Sequence, residues 1–177
     1  MAIKTLQLQP KWFSDATPKN PKKATATLAF TDVVADAQTV TIGTEVYEFK
    51  TSGSVGEDKI KVDVSEGVTA EDAVEALATA INATSALVDA MPVSDEEQDV
   101  VILTYKEIGT EGNAIAVSTT ATNASFGENV TKLSGGQLGT PCSLRDVVVF
   151  ATPHYYWCDK EGSDHTVSWK RFTPASY

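Results

Sequence analysis

Val68-Thr-Ala-Glu-Asp-Ala-Val-Glu-Ala-Leu-Ala-Thr-Ala-Ile-Asn82 decides the fold, because it carries the one strong helix signal in the chain. Thr69 stands at the N-cap, where its hydroxyl can accept a bond from an orphan backbone N–H. Asp72, three residues on, can reach back as the partner of a capping box, a place more often held by Glu or Gln. Val68 and Ala73 take the positions of a weak hydrophobic staple. Glu71 and Asp72 put negative charge at the positive end of the helix dipole. Val74, Leu77, Ala78 and Ile81 recur at i, i+3, i+4 and i+7 and form one apolar stripe, with Glu75 off it. The spacing predicts a helix over about 69–82. A helix with one apolar face has to bury it against another layer. The other patterned segments read as strands. The expected fold class is therefore α+β: mostly antiparallel sheet packed with a single amphipathic helix.

The strands are legible from period-two alternation. Ala26, Leu28 and Phe30 share one face of the segment 24–30. Val40 and Ile42 precede a Gly43-Thr44 turn, and Glu45 to Lys50 returns as the second arm of a hairpin with Tyr47 and Phe49 on one face. Ile60, Val62 and Val64 alternate with Lys59, Lys61 and Asp63. Val100 to Leu103 is continuously apolar and suits a central strand. Residues 84–90 prolong the helix or form a short second one, and 94–99 reads as a solvated turn. Strands are also expected over 114–119 and 130–133.

Both ends differ from this middle. Residues 1–23 read as an extended arm, since Pro10, Pro18 and Pro21 forbid sustained helix. Residues 24–139 form the α+β core, and 140–177 form an aromatic extension with Tyr155, Tyr156, Trp157, Trp169, Phe172 and Tyr177. Trp12 and Phe13 either fold back on the core or anchor the arm in a partner's pocket, as aromatic anchors do at interfaces.

Charge sharpens the division. The chain has 177 residues and a net charge of −10. Residues 1–24 hold five lysines against one aspartate, whereas the rest holds nine basic and 23 acidic residues. An acidic body repels a phosphate backbone, which argues against direct nucleic-acid binding. A basic arm on an acidic body suits docking on an acidic surface, such as a neighbouring copy. No apolar run approaches a membrane span, and no hydrophobic centre of a signal peptide is seen. Two cysteines, Cys142 and Cys158, make no disulfide framework; they could pair, but reduced thiols are the simpler reading.

No catalytic constellation stands out. Cys142, His154, Cys158 and His165 offer zinc-type ligands without zinc-type spacing. Ser134-Gly-Gly-Gln-Leu-Gly139 lacks the strand-to-helix setting and lysine of a phosphate loop. Asp95, Glu96 and Glu97 lack calcium-loop spacing. No enzyme activity, metal or cofactor is expected.

Five ordered motifs add a resemblance. They are Thr39-Val-Thr-Ile-Gly-Thr-Glu-Val-Tyr-Glu-Phe49, the helix ending in Ala80-Ile-Asn82, Val100-Val-Ile-Leu-Thr-Tyr105, Gly109-Thr-Glu-Gly-Asn113 and Leu133-Ser-Gly-Gly136. Their order resembles a small α+β module that recurs in structural proteins of tailed bacteriophages, over roughly residues 25–138. The resemblance implies a non-catalytic virion component assembled in the host cytoplasm. Its expected partners are further copies of the chain and a major capsid or tail protein. A capsid decoration (cement) protein is the leading expectation. A tail tube, neck or baseplate subunit is the alternative, and a glycan-binding module using the tail aromatics is a third. Partner contact is expected at Lys11, Trp12, Phe13, Lys22, Lys23, Tyr155, Tyr156, Trp157 and Trp169.

Overall fold

A computed structural model describes residues 19–65, 69–140, 147–149, 155–162, 165–166 and 168–172. The chain divides into two compact units, 23–136 and 1–22 together with 137–177.

The larger unit is α+β. Its first sheet contains β1 (Lys23–Phe30), β5 (Val88–Ser94), β6 (Asp99–Ile108) and β8 (Ala124–Ser125), in the order β5-β6-β1-β8, all antiparallel. Its second contains β2 (Thr39–Ile42), β3 (Glu45–Lys50), β4 (Lys59–Asp63) and β7 (Val117–Thr119), in the order β4-β3-β2-β7. α1 (Ala70–Thr84) packs against strands of both sheets. Its buried residues are Ala73, Val74, Leu77, Ala78 and Ile81, the stripe that periodicity predicts. The expected capping box is complete: Asp72 N donates to Thr69 Oγ1 at 3.2 Å, and Thr69 N donates to Asp72 Oδ2 at 3.0 Å. Val68 of the expected staple lies outside the described residues.

The core joins the inward faces of both sheets to this helix. Leu28, Ile42, Tyr47, Phe49, Leu77, Ile81 and Leu103 are all fully buried. Phe30 of β1 meets Phe49 of β3 edge to face at 6.3 Å, so the two sheets face one another across the core.

Three features depart from the expected layout. Residues 84–90 do not extend the helix; Val88–Ser94 is a strand paired in full with β6. Pro92 masks it in the sequence, because proline suits only the outer strand of a sheet, and β5 is an outer strand. Residues 130–133 form no strand; Ala116 bridges Lys132 and Thr25 bridges Ser134 as isolated pairs. In the segment 114–119, only Val117–Thr119 is strand, after a 3-10 turn over Glu111–Ala114.

β3 and β4 run parallel, joined by residues 51–58 alone. Parallel neighbours usually need a crossover of a dozen or more residues. Asp36 secures the start of this short one by accepting from Thr51 N at 2.9 Å, and it pairs with Lys50 at 3.0 Å. These bonds hold the Asp36 carboxyl below its ordinary pKa, the Thr51 backbone bond contributing most. Glu48, buried on the opposite face of β3 from the core, is paired with Lys59 of β4 and lies 3.8 Å from Lys50.

In the smaller unit, β9 (Val147–Val149), β10 (Tyr155–Lys160) and β11 (Ser168–Phe172) form an antiparallel sheet, with β10 central. β10 and β11 form an antiparallel pair within the stretch read as the aromatic extension. Residues 19–22 pair with 137–140: Thr140 N donates to Lys19 O at 2.8 Å and Lys22 N to Gln137 O at 2.9 Å. Cys158 is disulfide-bonded, against the expectation of a reduced thiol. The chain's other cysteine, Cys142, lies outside the described residues.

Candidate docking groove

The residues of the resemblance motifs are occupied in folding. Gly43 takes φ +61° in the β2–β3 turn, a conformation natural to glycine. Asn82, at the end of α1, clamps β5 by donating to Ala90 O and accepting from Ala90 N, both at 2.8 Å. Asn113 does the same to Gly136, at 2.8 and 2.9 Å. A Cβ at Gly136 would collide with the Gly109 carbonyl, so the Gly109–Asn113 and Leu133–Gly136 motifs form one lock.

A second polar node sits where α1 ends. Ser85 is the C-cap and is buried. Its hydroxyl donates to Glu45 Oε2 at 2.6 Å and accepts from Leu87 N and Val88 N, both at 3.1 Å. Glu45 also accepts from Ala86 N at 2.8 Å and from the Tyr47 hydroxyl at 3.1 Å. Lys106 Nζ donates to Ser85 O at 2.6 Å, a cation at the negative end of the helix. Burial pushes the Tyr47 hydroxyl pKa upward, and the neighbouring Glu45 charge adds to the rise.

A cleft lies between β4 and α1, with a volume near 760 Å³. Ile60, Lys61 and Asp63 form one wall; Ala76, Thr79, Ala80 and Ala83 form the other. These four recur at i, i+3, i+4 and i+7 on α1, beside the buried stripe. Their small side chains leave the space open. Asp72 and Glu75 stand at the helix side.

The β4 wall is a strand edge. β4 is the outermost strand of its sheet, and β3 is its one partner there. Val64 N donates to Lys50 O at 3.0 Å, toward β3. Lateral direction alternates along a strand, so the N–H and C=O groups of Lys61 and Asp63 point away from β3. Lysines usually guard such an edge against pairing. Here Lys59 is drawn to Glu48, and Lys61 Nζ pairs with Asp63 at 2.7 Å. That contact, with Ser65 bonds second, holds the Asp63 carboxyl well below the usual range.

The groove offers little chemistry. Its lining includes neither histidine nor cysteine. Asp63 is held ionised by its partners, and Asp72 is engaged in the capping box. Among the described residues, no group of three His, Cys, Asp or Glu side chains could hold a metal ion. Cys158, one of the zinc-type ligands the sequence offers, has its sulfur in a disulfide and supplies no thiolate.

None of the described residues expected at partner contacts is among those lining the groove. Lys11, Trp12 and Phe13 lie outside the described residues. Lys22 is exposed, with its backbone paired to Gln137; Lys23 is half-buried and opens β1. Tyr155, Tyr156 and Trp157 belong to β10, and their side chains lie outside the described residues. Trp169 is described in full. It is 5% exposed, donates its indole N–H to Thr140 O at 2.7 Å, and has its backbone N–H held by Asn20 at 2.7 Å. An exposed ring of that size is costly, and the tryptophan is buried within its own unit.

Sequence reasoning missed the groove. The signal was present as the second helical stripe, 76-79-80-83, whose small residues mark a face with nothing packed tightly on it. Comparison with protein-family models, curated proteins and solved structures returns no match.

Proposed function

We propose that the protein is a structural component of a tailed-phage virion, in the first place a decoration protein that cements the capsid exterior. The observation that carries this reading is the use of polar side chains in the body. Asn82, Asn113, Glu45 and Ser85 each hold backbone or neighbouring side chains together, and an open groove sets a strand edge beside a small-residue helix face. Such a body is built to be rigid and to be touched along an edge. The ordered motifs of residues 25–138 supply the phage assignment by resemblance. The acidic body would face solvent. Stabilisation of a shell would come from apolar area buried at subunit seams, about 25 cal/mol per Å² before the costs of association.

The test is cosedimentation of purified protein with capsids that lack it, followed by heating. Binding that raises the temperature of capsid rupture supports the cement role. Rings or tubes in negative stain, without capsid binding, favour the tail alternative. Absence of both, with the folded protein present in excess, refutes a virion role.

A further inference from the structure

We infer that the groove between β4 and α1 accepts the N-terminal segment of a second copy, which adds as a strand to the β4 edge. The inference rests on the preceding reading in taking another copy of the chain as the neighbour.

Three observations carry it. The first is the edge itself. Lys61 and Asp63 turn backbone donors and acceptors into the groove, and an extended peptide can satisfy them by strand addition. Among the other edge strands of the larger unit, β5 carries Pro92, β7 is three residues long and β8 two, so β4 offers the longer proline-free edge there.

The second is the match of side chains. Thr5-Leu-Gln-Leu-Gln9 alternates polar and apolar residues and ends at Pro10, a strand-length pattern with a stop. Leu6 and Leu8 would lie on the face toward Ile60, Ala76 and Ala80. Lys4 and Lys11 flank the pattern. The groove carries Asp63, Asp72 and Glu75 against Lys61, a net negative wall. Opposite charge sets direction and on-rate more than affinity.

The third is reach. Residues 1–18 precede the described chain, and fully extended they span at most about 60 Å. A body the size of residues 23–136 has a radius of gyration of about 13 Å. The segment is thus long enough to leave its own body and reach another.

The experiment uses the full chain. Sedimentation equilibrium over a hundredfold concentration range should show reversible self-association that weakens with salt. Lys61→Pro deletes the outward N–H while leaving the N–H groups that face β3, so it should weaken association at least tenfold. Lys61→Ala keeps that N–H and should weaken it by less than threefold. Glu75→Lys, an exposed change on the helix, should weaken it independently of any effect on β4. A labelled synthetic peptide of residues 1–18 should bind the full chain and lose binding to the Lys61→Pro protein. Circular dichroism shows whether each variant is folded. A chain that stays monomeric and ignores the peptide overturns the inference, as does peptide binding indifferent to both Lys61→Pro and Glu75→Lys. Capsid binding without self-association would sink this inference and spare the virion role; self-association through β4 without particle binding would do the reverse.

Discussion

Replacing Glu45 with alanine strips the acceptor from three donors at once: the Ser85 hydroxyl, Ala86 N and the Tyr47 hydroxyl. Ser85 is 6% exposed and Tyr47 fully buried, whereas Ala86 is exposed and can turn to water. Each buried donor left without a partner costs about 1–3 kcal/mol. Counting the two buried donors, and allowing the Ser85 hydroxyl to rotate toward another acceptor, the loss should be about 2–4 kcal/mol. For a body near a hundred residues, 1 kcal/mol shifts the melting temperature by about 4 °C or more, so a fall of about 8–16 °C is expected. Urea denaturation followed by circular dichroism measures it, with an unchanged slope showing that the unfolded state is not the cause. Glu45→Gln, which retains one acceptor oxygen, should fall between the parent and the alanine variant. The double variant Glu45→Ala, Ser85→Ala should cost less than the sum of the single changes, because the two side chains share a bond. A Glu45→Ala protein within about 0.5 kcal/mol of the parent, the size of an ordinary surface change, would falsify the claim that this node closes the end of α1.

Three further outcomes follow from the same structure. Gly136→Ala should destabilise by about 1–3 kcal/mol or prevent folding, because its Cβ meets the Gly109 carbonyl; Gly135→Ala, which meets nothing but has φ +82°, should cost less. Tyr47 has its pKa raised by burial, so the folded state holds that proton more tightly than the unfolded one. Its contribution to stability is complete below the unfolded value of about 10 and is lost as pH rises through the folded value; Tyr47→Phe should flatten that alkaline limb in thermal melts, and an unchanged limb would refute the assignment. Thiol titration of the unfolded, unreduced chain should find no free cysteine, and titration after reduction should find two per chain; two free thiols before reduction would contradict the bonded state of Cys158.

The sequence by itself determined the local elements. Thr69 and Asp72 cap α1, and Val74, Leu77, Ala78 and Ile81 face the core, because capping and amphipathic period are short-range properties. Alternation likewise located β1 to β4, and a continuous apolar run located the central β6. Only the tertiary structure decided how the strands pair. The parallel union of β3 and β4 depends on where residues 51–58 return, which Asp36 settles through contacts 14 and 15 residues away. β5 is a strand because β6 offers it a complete ladder, in spite of Pro92. The burial of Trp169 likewise depends on Asn20 and Thr140, 149 and 29 residues distant, which no local pattern encodes. The groove is the same kind of fact: a strand edge and a row of small helical side chains each look ordinary alone, and only packing sets them face to face.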